Sequence, residues 1–407
     1  MKILSFGECD KNLIFPLIGG VSKLIVNLII YFFPDEVELD NHPFILGITA
    51  GMGMTFSFIP YLYIEKCDKK QKKKKLLTSD KSLDEIEKKD DTKIKRNKYL
   101  FLFLCAFLDF IQKDLVFLFR SNDNNNIWMF NIIFLNVFSL IIIKNPIFRH
   151  QYLSLGIMVI LGMVLNALDL QEMKLAYLPI LFLNIFIEII VDIYSLEIVL
   201  SKYVLEYSKC SPFEITICDG LFSLICNIVI LIITTNTPLD KNFKYKKVLK
   251  ISEYEGEKYI DNFYVYINKM NFTEGLLFIV TMIGRLLFNL FVQYTLKHFN
   301  TSYVLLILIL GELTVDLLNK SALNLIMTVF ILIFEFFMLF IFCEIIELNF
   351  CGLDKYTKRN IQDRIDKKKY GDDDDDEEED DENKEAKEIW NGLELSSDEI
   401  VSDNSGF

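Results

Sequence analysis

Residues Glu274–Leu296 read EGLLFIVTMIGRLLFNLFVQYTL, and this stretch is the clearest indication of the fold class. It is long enough to cross a bilayer core, which takes about 20 apolar residues in helical form. Apart from Glu274 at its start, its only charge is Arg285, near the middle. Polar residues recur every four positions at Thr281, Arg285, Asn289 and Gln293, so they share one helix face. The pattern predicts a membrane-spanning helix with a polar face that avoids lipid.

Nine more stretches can be interpreted in the same way, in a chain of 407 residues that is 52% apolar. They are Leu13–Phe33, Phe44–Ile64, Tyr99–Leu118, Ile127–Ile143, Tyr152–Ala167, Leu175–Val199, Phe213–Thr235, Ser302–Leu318 and Ala322–Ile346. Glu274–Leu296 is then the eighth span. The sequence predicts an all-α polytopic membrane protein with about ten transmembrane helices.

Lys and Arg set the expected orientation, because cytoplasmic loops are enriched in them. The two densest basic segments are 65–98, after the second span, and 347–371, after the tenth. Eight spans separate them, so both can be cytoplasmic, and both termini are expected there. The connection 236–273 then faces the lumen or the exterior. Its sequon, Asn271–Phe272–Thr273, predicts glycosylation of Asn271.

This orientation divides the chain into nine segments. They are a cytoplasmic N-terminus (1–12), helices 1–2 (13–64), a disordered basic loop (65–98), helices 3–5 (99–169), helices 6–7 (170–235), a long lumenal or extracellular loop (236–273), helices 8–10 (274–346), a basic juxtamembrane segment (347–371) and a disordered acidic tail (372–407). The tail is expected to be disordered because a block of like charges repels itself and buries no core.

Charged residues near the middle of the spans are the candidate site. An ionisable group at the bilayer centre costs about 2.5–3.5 kcal/mol on insertion scales, so these groups should face one another or a wet cavity. The four central charges are Lys23, Asp109, Glu188 and Arg285. The candidate cavity set adds further polar residues at helical spacing, namely Lys113, Asp192, Asn289, Gln293, Glu312 and Asp316. Buried ion pairs that only hold the bundle together are the alternative interpretation.

The central charges also indicate a duplication. If helices 1–5 and 6–10 are two halves, Lys23 of helix 1 corresponds to Glu188 of helix 6. Asp109 of helix 3 corresponds to Arg285 of helix 8, again with opposite sign. A repeat with an odd number of helices enters the membrane inverted, an arrangement known from many secondary carriers. We therefore expect two inverted five-helix repeats.

Several local sequences resemble a known superfamily. Helix 3 contains Ala106-Phe-Leu-Asp109, followed by a short polar turn, a fourth helix and a basic connection with Asn145-Pro and Arg149. In the second half, Lys202-Tyr precedes Ser211-Pro-Phe-Glu and Asp219-Gly220 at the start of helix 7. Between residues 13 and 361 the chain resembles the drug/metabolite transporter superfamily, and within it the nucleotide-sugar-transporter-like solute carriers of protists. The resemblance implies transport by alternating access.

The sequence thus predicts a secondary-active transporter for a small polar or anionic metabolite, coupled to a proton or another ion. A non-transporting scaffold or receptor is the alternative, and a membrane-embedded transferase is a third. The three His residues lie outside the middle of every span and the eight Cys form no CxxC pair, so the sequence predicts neither a catalytic site nor a bound metal or cofactor. The expected partners are the bilayer and a small-molecule substrate, not a nucleic acid, and a homodimer is left open. The expected location is an endomembrane (Golgi, ER or vacuole) or the plasma membrane.

Overall fold

The computed structural model describes most of the predicted spans in full or in part. The described residues are 4–6, 11–32, 42–64, 87–111, 128–144, 147–172, 193–208, 210–239, 252–254, 257–310, 322–348 and 357. Most of them are helical. The predicted acidic tail, the juxtamembrane segment except for residues 347, 348 and 357, and much of the basic loop lie outside these residues.

Eleven helical elements occur in the described residues, and the labels used below follow chain order. They are α1 (Ile14–Phe32), α2 (Pro43–Phe56, continuing to Ile64), α3 (Glu87–Phe110), α4 (Trp128–Phe138, followed by a π-helical turn, Ser139–Ile143), α5 (Arg149–Glu172), α6 (Ile193–Tyr207), α7 (Pro212–Asn236), α8 (Phe263–Lys269), α9 (Phe272–His298), α10 (Thr301–Leu310) and α11 (Ala322–Phe342).

Three of these helices are long and apolar enough to cross a membrane: Pro43–Ile64, Pro212–Asn236 and Phe272–His298, with 22, 25 and 27 residues. At 1.5 Å per residue, each exceeds the roughly 30 Å hydrocarbon core of a bilayer. Shorter apolar helical stretches lie in α1, α4, α5, α10 and α11. The protein is therefore mostly helical and has the features of a membrane protein.

The ends of three helices differ from the sequence prediction. α3 begins at Glu87, within the loop predicted to be disordered, because Glu, Lys and Arg favour helices and Asp91 stands four residues before Lys95. α6 continues beyond the predicted end, Val199, to Tyr207. α11 ends at Phe342 rather than at Ile346.

The end of α11 has a definite local cause. Glu344 adopts a left-handed conformation with φ of 58°. Its N–H donates to the Ile341 carbonyl, and the Ile345 N–H donates to the Phe340 carbonyl at 2.9 Å. This pair of bonds is the Schellman arrangement that terminates helices.

Two short antiparallel strand pairs were not predicted. β1 (Leu4–Phe6) precedes α1 and pairs with β4 (Ile346–Leu348) after α11, with Ser5 opposite Glu347. β2 (Ser252–Tyr254) pairs with β3 (Glu257–Tyr259) inside the long connection before α8. The first pair places the segments that flank α1 and α11 side by side.

Small residues let several helices cross closely. α2 packs on α7, where Gly51 lies against the backbone of Leu224 and of Gly220. Gly47 and Gly51 in α2 form a small-xxx-small spacing, the pattern that brings membrane helices into contact. α1 packs on α9, where Gly284 faces Val26. The main apolar core lies among α3, α4, α5, α6, α9, α10 and α11.

Candidate functional site: buried polar residues in the helix bundle

The polar stripe of α9 is buried. Thr281, Asn289 and Gln293 are 3%, 7% and 3% exposed, and Arg285 is half-buried. Asn289 Nδ2 donates to the Arg285 carbonyl at 3.0 Å, one turn earlier. In the described structure, Gln293 Oε1 accepts no hydrogen bond. A buried acceptor of this kind costs free energy unless it is paired, so Gln293 is suited to binding a polar ligand.

A second cation lies beside this stripe on α1. Lys23 places its Nζ 5.6 Å from the centre of the Phe288 ring on α9, a cation–π contact. The helices approach closely here because Gly284 has no side chain and α1 fills the space with Val26. Two cations, Lys23 and Arg285, therefore stand on neighbouring antiparallel helices.

Three carboxyl groups are buried within the bundle. Asp109 on α3, Glu197 on α6 and Asp219 on α7 are each at most 4% exposed. All three interact electrostatically with the Cys105 side chain, so each of them lies in the neighbourhood of that residue. Ser201 Oγ donates to Glu197 Oε1 at 3.1 Å. Buried acids in membrane helices often mark substrate, ion or proton pathways, so these three are candidate functional residues.

Sequence reasoning proposed Asp109 as a site residue but not the other two acids. The candidate charges were those near the middle of a predicted span. Glu197 and Asp219 lie nearer the ends of their spans and were therefore not included. Sequence reasoning also missed Glu335 of α11, which is fully buried at 0% exposure. The signal for Glu335 was available, because this acid stands near the centre of the predicted tenth span.

At the end of α9, a lysine from another helix binds the terminal carbonyls. Lys202 of α6 donates to the Leu296 carbonyl at 2.7 Å and to the Phe299 carbonyl at 2.9 Å. It also pairs with Glu206 at 2.7 Å. A cation is favourable here because helix carbonyls at a C-terminus are unpaired and carry partial negative charge. Lys202 was expected in a connection and is instead a buried residue that joins α6 to α9.

The start of α7 is fixed by a capping box and an ion pair. Ser211 Oγ accepts from the Glu214 N–H, and Glu214 Oε2 accepts from the Ser211 N–H at 2.8 Å. Lys98 of α3 donates to both oxygens of Glu214, at 3.0 and 3.1 Å. Burial lowers the pKa of Lys98, but the hydrogen bond and charge of Glu214 outweigh it, and the net pKa is raised. Burial raises the pKa of the nearby Cys210 thiol to about 11.

The opposite end of the bundle has its own buried pair. His42 Nδ1 and Asp261 Oδ1 are 2.6 Å apart, and the Phe44 N–H donates to Asp261 Oδ2 at 3.0 Å. The pair joins the start of α2 to the residues before α8. Burial, followed by the charge of Glu274, raises the pKa of the neighbouring Tyr266 to about 12.

Asn271, the predicted sugar acceptor, is exposed and caps α9. Its Oδ1 accepts from the Glu274 N–H at 2.8 Å, so the sequon stands at the helix start. Its glycosylation stays a prediction. Five residues of the candidate cavity set lie outside the described residues: Lys113, Glu188, Asp192, Glu312 and Asp316.

Comparisons with known proteins add no family. No protein-family model matches the chain, and no curated protein matches it significantly. Among the described residues, no group of three or more His, Cys, Asp or Glu side chains is arranged to hold a metal ion. The helix packing and the buried charges are therefore the features that bear on function.

Proposed function

We propose that the protein is a multi-pass secondary-active transporter that moves a small anionic or polar metabolite by alternating access. In this proposal ten helices form two inverted five-helix repeats, α1–α5 and α6–α11 without the surface helix α8. The drug/metabolite transporter superfamily, which the sequence resembles, is the proposed family. The observation that carries the proposal is the pattern of helix contacts.

Most of the extensive helix contacts match in pairs, which supports two inverted repeats. The repeats pair α1 with α6, α2 with α7, α3 with α9, α4 with α10 and α5 with α11. A two-fold operation maps the contacts α2–α7 and α5–α11 onto themselves, and both contacts occur. It maps α1–α9 onto α3–α6 and α2–α9 onto α3–α7, and all four occur. It also maps α4–α6 onto α1–α10, which is supported by the close approach of Gly20 to Leu310.

A contact pattern of this kind does not follow from a bundle of independently arranged helices. The match is incomplete. The two-fold operation maps the contacts α6–α9 and α7–α9 onto α1–α3 and α2–α3, and among the described residues the latter two contacts are less extensive. The agreement elsewhere favours duplication, and the α2–α7 crossing would lie on the two-fold axis. Inverted repeats of this type place their substrate between the halves, near the bilayer midplane.

The pairing of β1 with β4 supports an even number of crossings. These strands precede α1 and follow α11, and they are hydrogen-bonded to each other. Both must therefore lie at the same face of the membrane. With the positive-inside rule, that face is the cytoplasmic one.

The buried charges suggest how the transporter would be coupled. Cations stand on the pair α1–α9, at Lys23 and Arg285, whereas acids stand on α3, α6 and α7, at Asp109, Glu197 and Asp219. We assign the cations and the amides of Asn289 and Gln293 to the substrate anion. We assign the acids to a coupling proton or cation, which would neutralise them during the crossing and so reduce the cost of burial.

The first experiment screens a metabolite panel of carboxylates, phosphates, amino acids and nucleotide sugars against the purified protein. A ligand that binds the folded state raises its thermal stability, by about 2.7 kcal/mol at one hundred times its Kd. Stabilising compounds are then tested for uptake into proteoliposomes. The substitution Arg285→Leu should abolish uptake, and Ile283→Leu on the exposed side of the same helix should not.

The outcomes separate the competing functions. Flux of a stabilising anion that needs Arg285 supports the carrier. Chemical conversion of the compound without flux would indicate a transferase. A chain that neither binds nor moves any compound of the panel would be a scaffold, and wild-type flux in Arg285→Leu would remove the central residue of the proposed mechanism.

A further inference from the structure

An apolar surface on α8 and the first residues of α9 is exposed. We define this α8 surface as Phe263, Tyr264, Ile267, Met270 and Phe272, and Phe272 alone is 88% exposed. Single exposed apolar residues are ordinary, but five within ten residues form a patch that indicates an interaction site.

The other side of α8 is firmly held. Val265 and Tyr266 are buried, and Tyr266 packs in an apolar cluster with Phe44 of α2. Asn262 caps the helix, since its Oδ1 accepts from the Tyr264 and Val265 N–H groups at 2.9 and 3.3 Å. The α8 surface is thus a fixed outward face of a docked helix.

The position of this surface along α9 indicates its depth. Arg285 is at the centre of α9, and the helix from Arg285 back to Phe272 is about 20 Å long. Half of a bilayer hydrocarbon core is about 15 Å thick, so Phe272 would lie in the headgroup layer just beyond it. The surface continues into exposed apolar residues near the outer ends of α7 and α9, including Ile232 and Leu276.

We infer that the α8 surface is a lipid-binding surface that lies in the non-cytoplasmic leaflet at the boundary between headgroups and acyl chains. The inference rests on the membrane topology proposed above. Aromatic residues are favoured at this depth because their rings tolerate both apolar and polar surroundings. A short helix with one buried and one lipid-facing side lies in the plane of the interface. The surface therefore anchors the end of the long connection 236–272 at the membrane, beside the His42–Asp261 pair.

The test measures tryptophan depth in the full-length protein reconstituted into vesicles. The background replaces the two native tryptophans, as Trp128→Phe and Trp390→Phe. Phe272→Trp is compared with Glu257→Trp, an exposed position on β3, and with Ile283→Trp, an exposed position near the centre of α9. The vesicles are phosphatidylcholine, either unmodified or brominated at upper or lower acyl-chain carbons.

The emission maximum of the Phe272→Trp variant should lie about 10 nm to shorter wavelength than that of the Glu257→Trp variant. Bromines on the upper acyl-chain carbons should quench the Phe272→Trp emission at least twofold more than bromines on the lower carbons. Emission at the Glu257 wavelength without quenching would overturn the inference. An emission maximum that lies at shorter wavelength without bromine quenching, and that shifts further as the protein-to-lipid ratio rises, would mean that a second copy of the chain covers the surface. This result would also overturn the inference. An Ile283→Trp variant that bromines do not quench would instead contradict the proposed topology.

Discussion

The crossing of α2 and α7 should be sensitive to a single methyl group at Gly51. A Cβ atom at this position would stand 2.8 Å from the Leu224 backbone nitrogen and 3.0 Å from the Gly220 carbonyl oxygen. Ordinary contacts of a Cβ begin near 3.4 Å. Both neighbours are backbone atoms, so no side chain can rotate away and the two helices must separate.

The magnitude follows from two opposing terms. Overpacking of a well-packed contact costs about 1–3 kcal/mol. Alanine gains about 1 kcal/mol over glycine in a helix interior. Gly51→Ala should therefore be destabilising by up to about 2 kcal/mol, as the difference of these terms.

Gly156 of α5 provides the matched control, because a Cβ there meets no atom within 4 Å. Gly156→Ala should keep the propensity gain alone and stabilise by up to about 1 kcal/mol. The assay is the midpoint of thermal unfolding of the purified protein in detergent, which for a chain of this size moves by roughly 1 °C per kcal/mol, because the unfolding entropy grows with chain length. If Gly51→Ala proves as stable as Gly156→Ala, then the α2–α7 contact is not the close crossing described here.

Three further predictions concern the buried groups. Asp261→Ala should cost about 1–3 kcal/mol for each buried donor that loses its acceptor, namely the His42 ring and the Phe44 N–H. Thermal unfolding against an exposed control, Asn268→Ala, measures the cost, and equal midpoints would contradict the pairing. Asp109→Asn should abolish uptake driven by a pH gradient, whereas substrate exchange at equal pH should persist. If the variant still concentrates substrate, Asp109 has no role in coupling. Cys210 should be alkylated slowly at pH 8.5, where an ordinary thiol is about half ionised. The rate of alkylation should rise as the pH approaches the Cys210 pKa of about 11. Mass spectrometry measures the modified fraction, and full modification at pH 8.5 would contradict this prediction.

The long apolar helices could be predicted from sequence because their signal is local. The predicted eighth span, Glu274–Leu296, falls two residues short of α9 at each end. A run of apolar residues needs no distant partner to be recognised. The stripe from Thr281 to Gln293 follows from the same local periodicity, and the structure buries it.

The features that sequence reasoning missed depend on distant contacts. The predicted sixth span ends at Val199, which leaves Lys202 in a connection. The carbonyls of Leu296 and Phe299, almost a hundred residues away, make that lysine stable in a buried helix. The positions of Asp109, Glu197 and Asp219 around Cys105 depend in the same way on how α3 packs with α6 and with α7.

The β1–β4 pair has a consequence for the order of folding. Its two strands, Leu4–Phe6 and Ile346–Leu348, close a loop that contains every helix described above. The entropic cost of such a closure grows only as the logarithm of loop length, so a short strand pair can form once the intervening helices are packed. During synthesis, however, β1 emerges before the helices and its partner β4 emerges only after them. Until α11 has been made, β1 presents an unpaired strand edge, the kind of surface that pairs with foreign chains. Completion of this small sheet is thus a late event in biogenesis, and a ribosome stalled before residue 346 would release a chain whose first strand has no native partner.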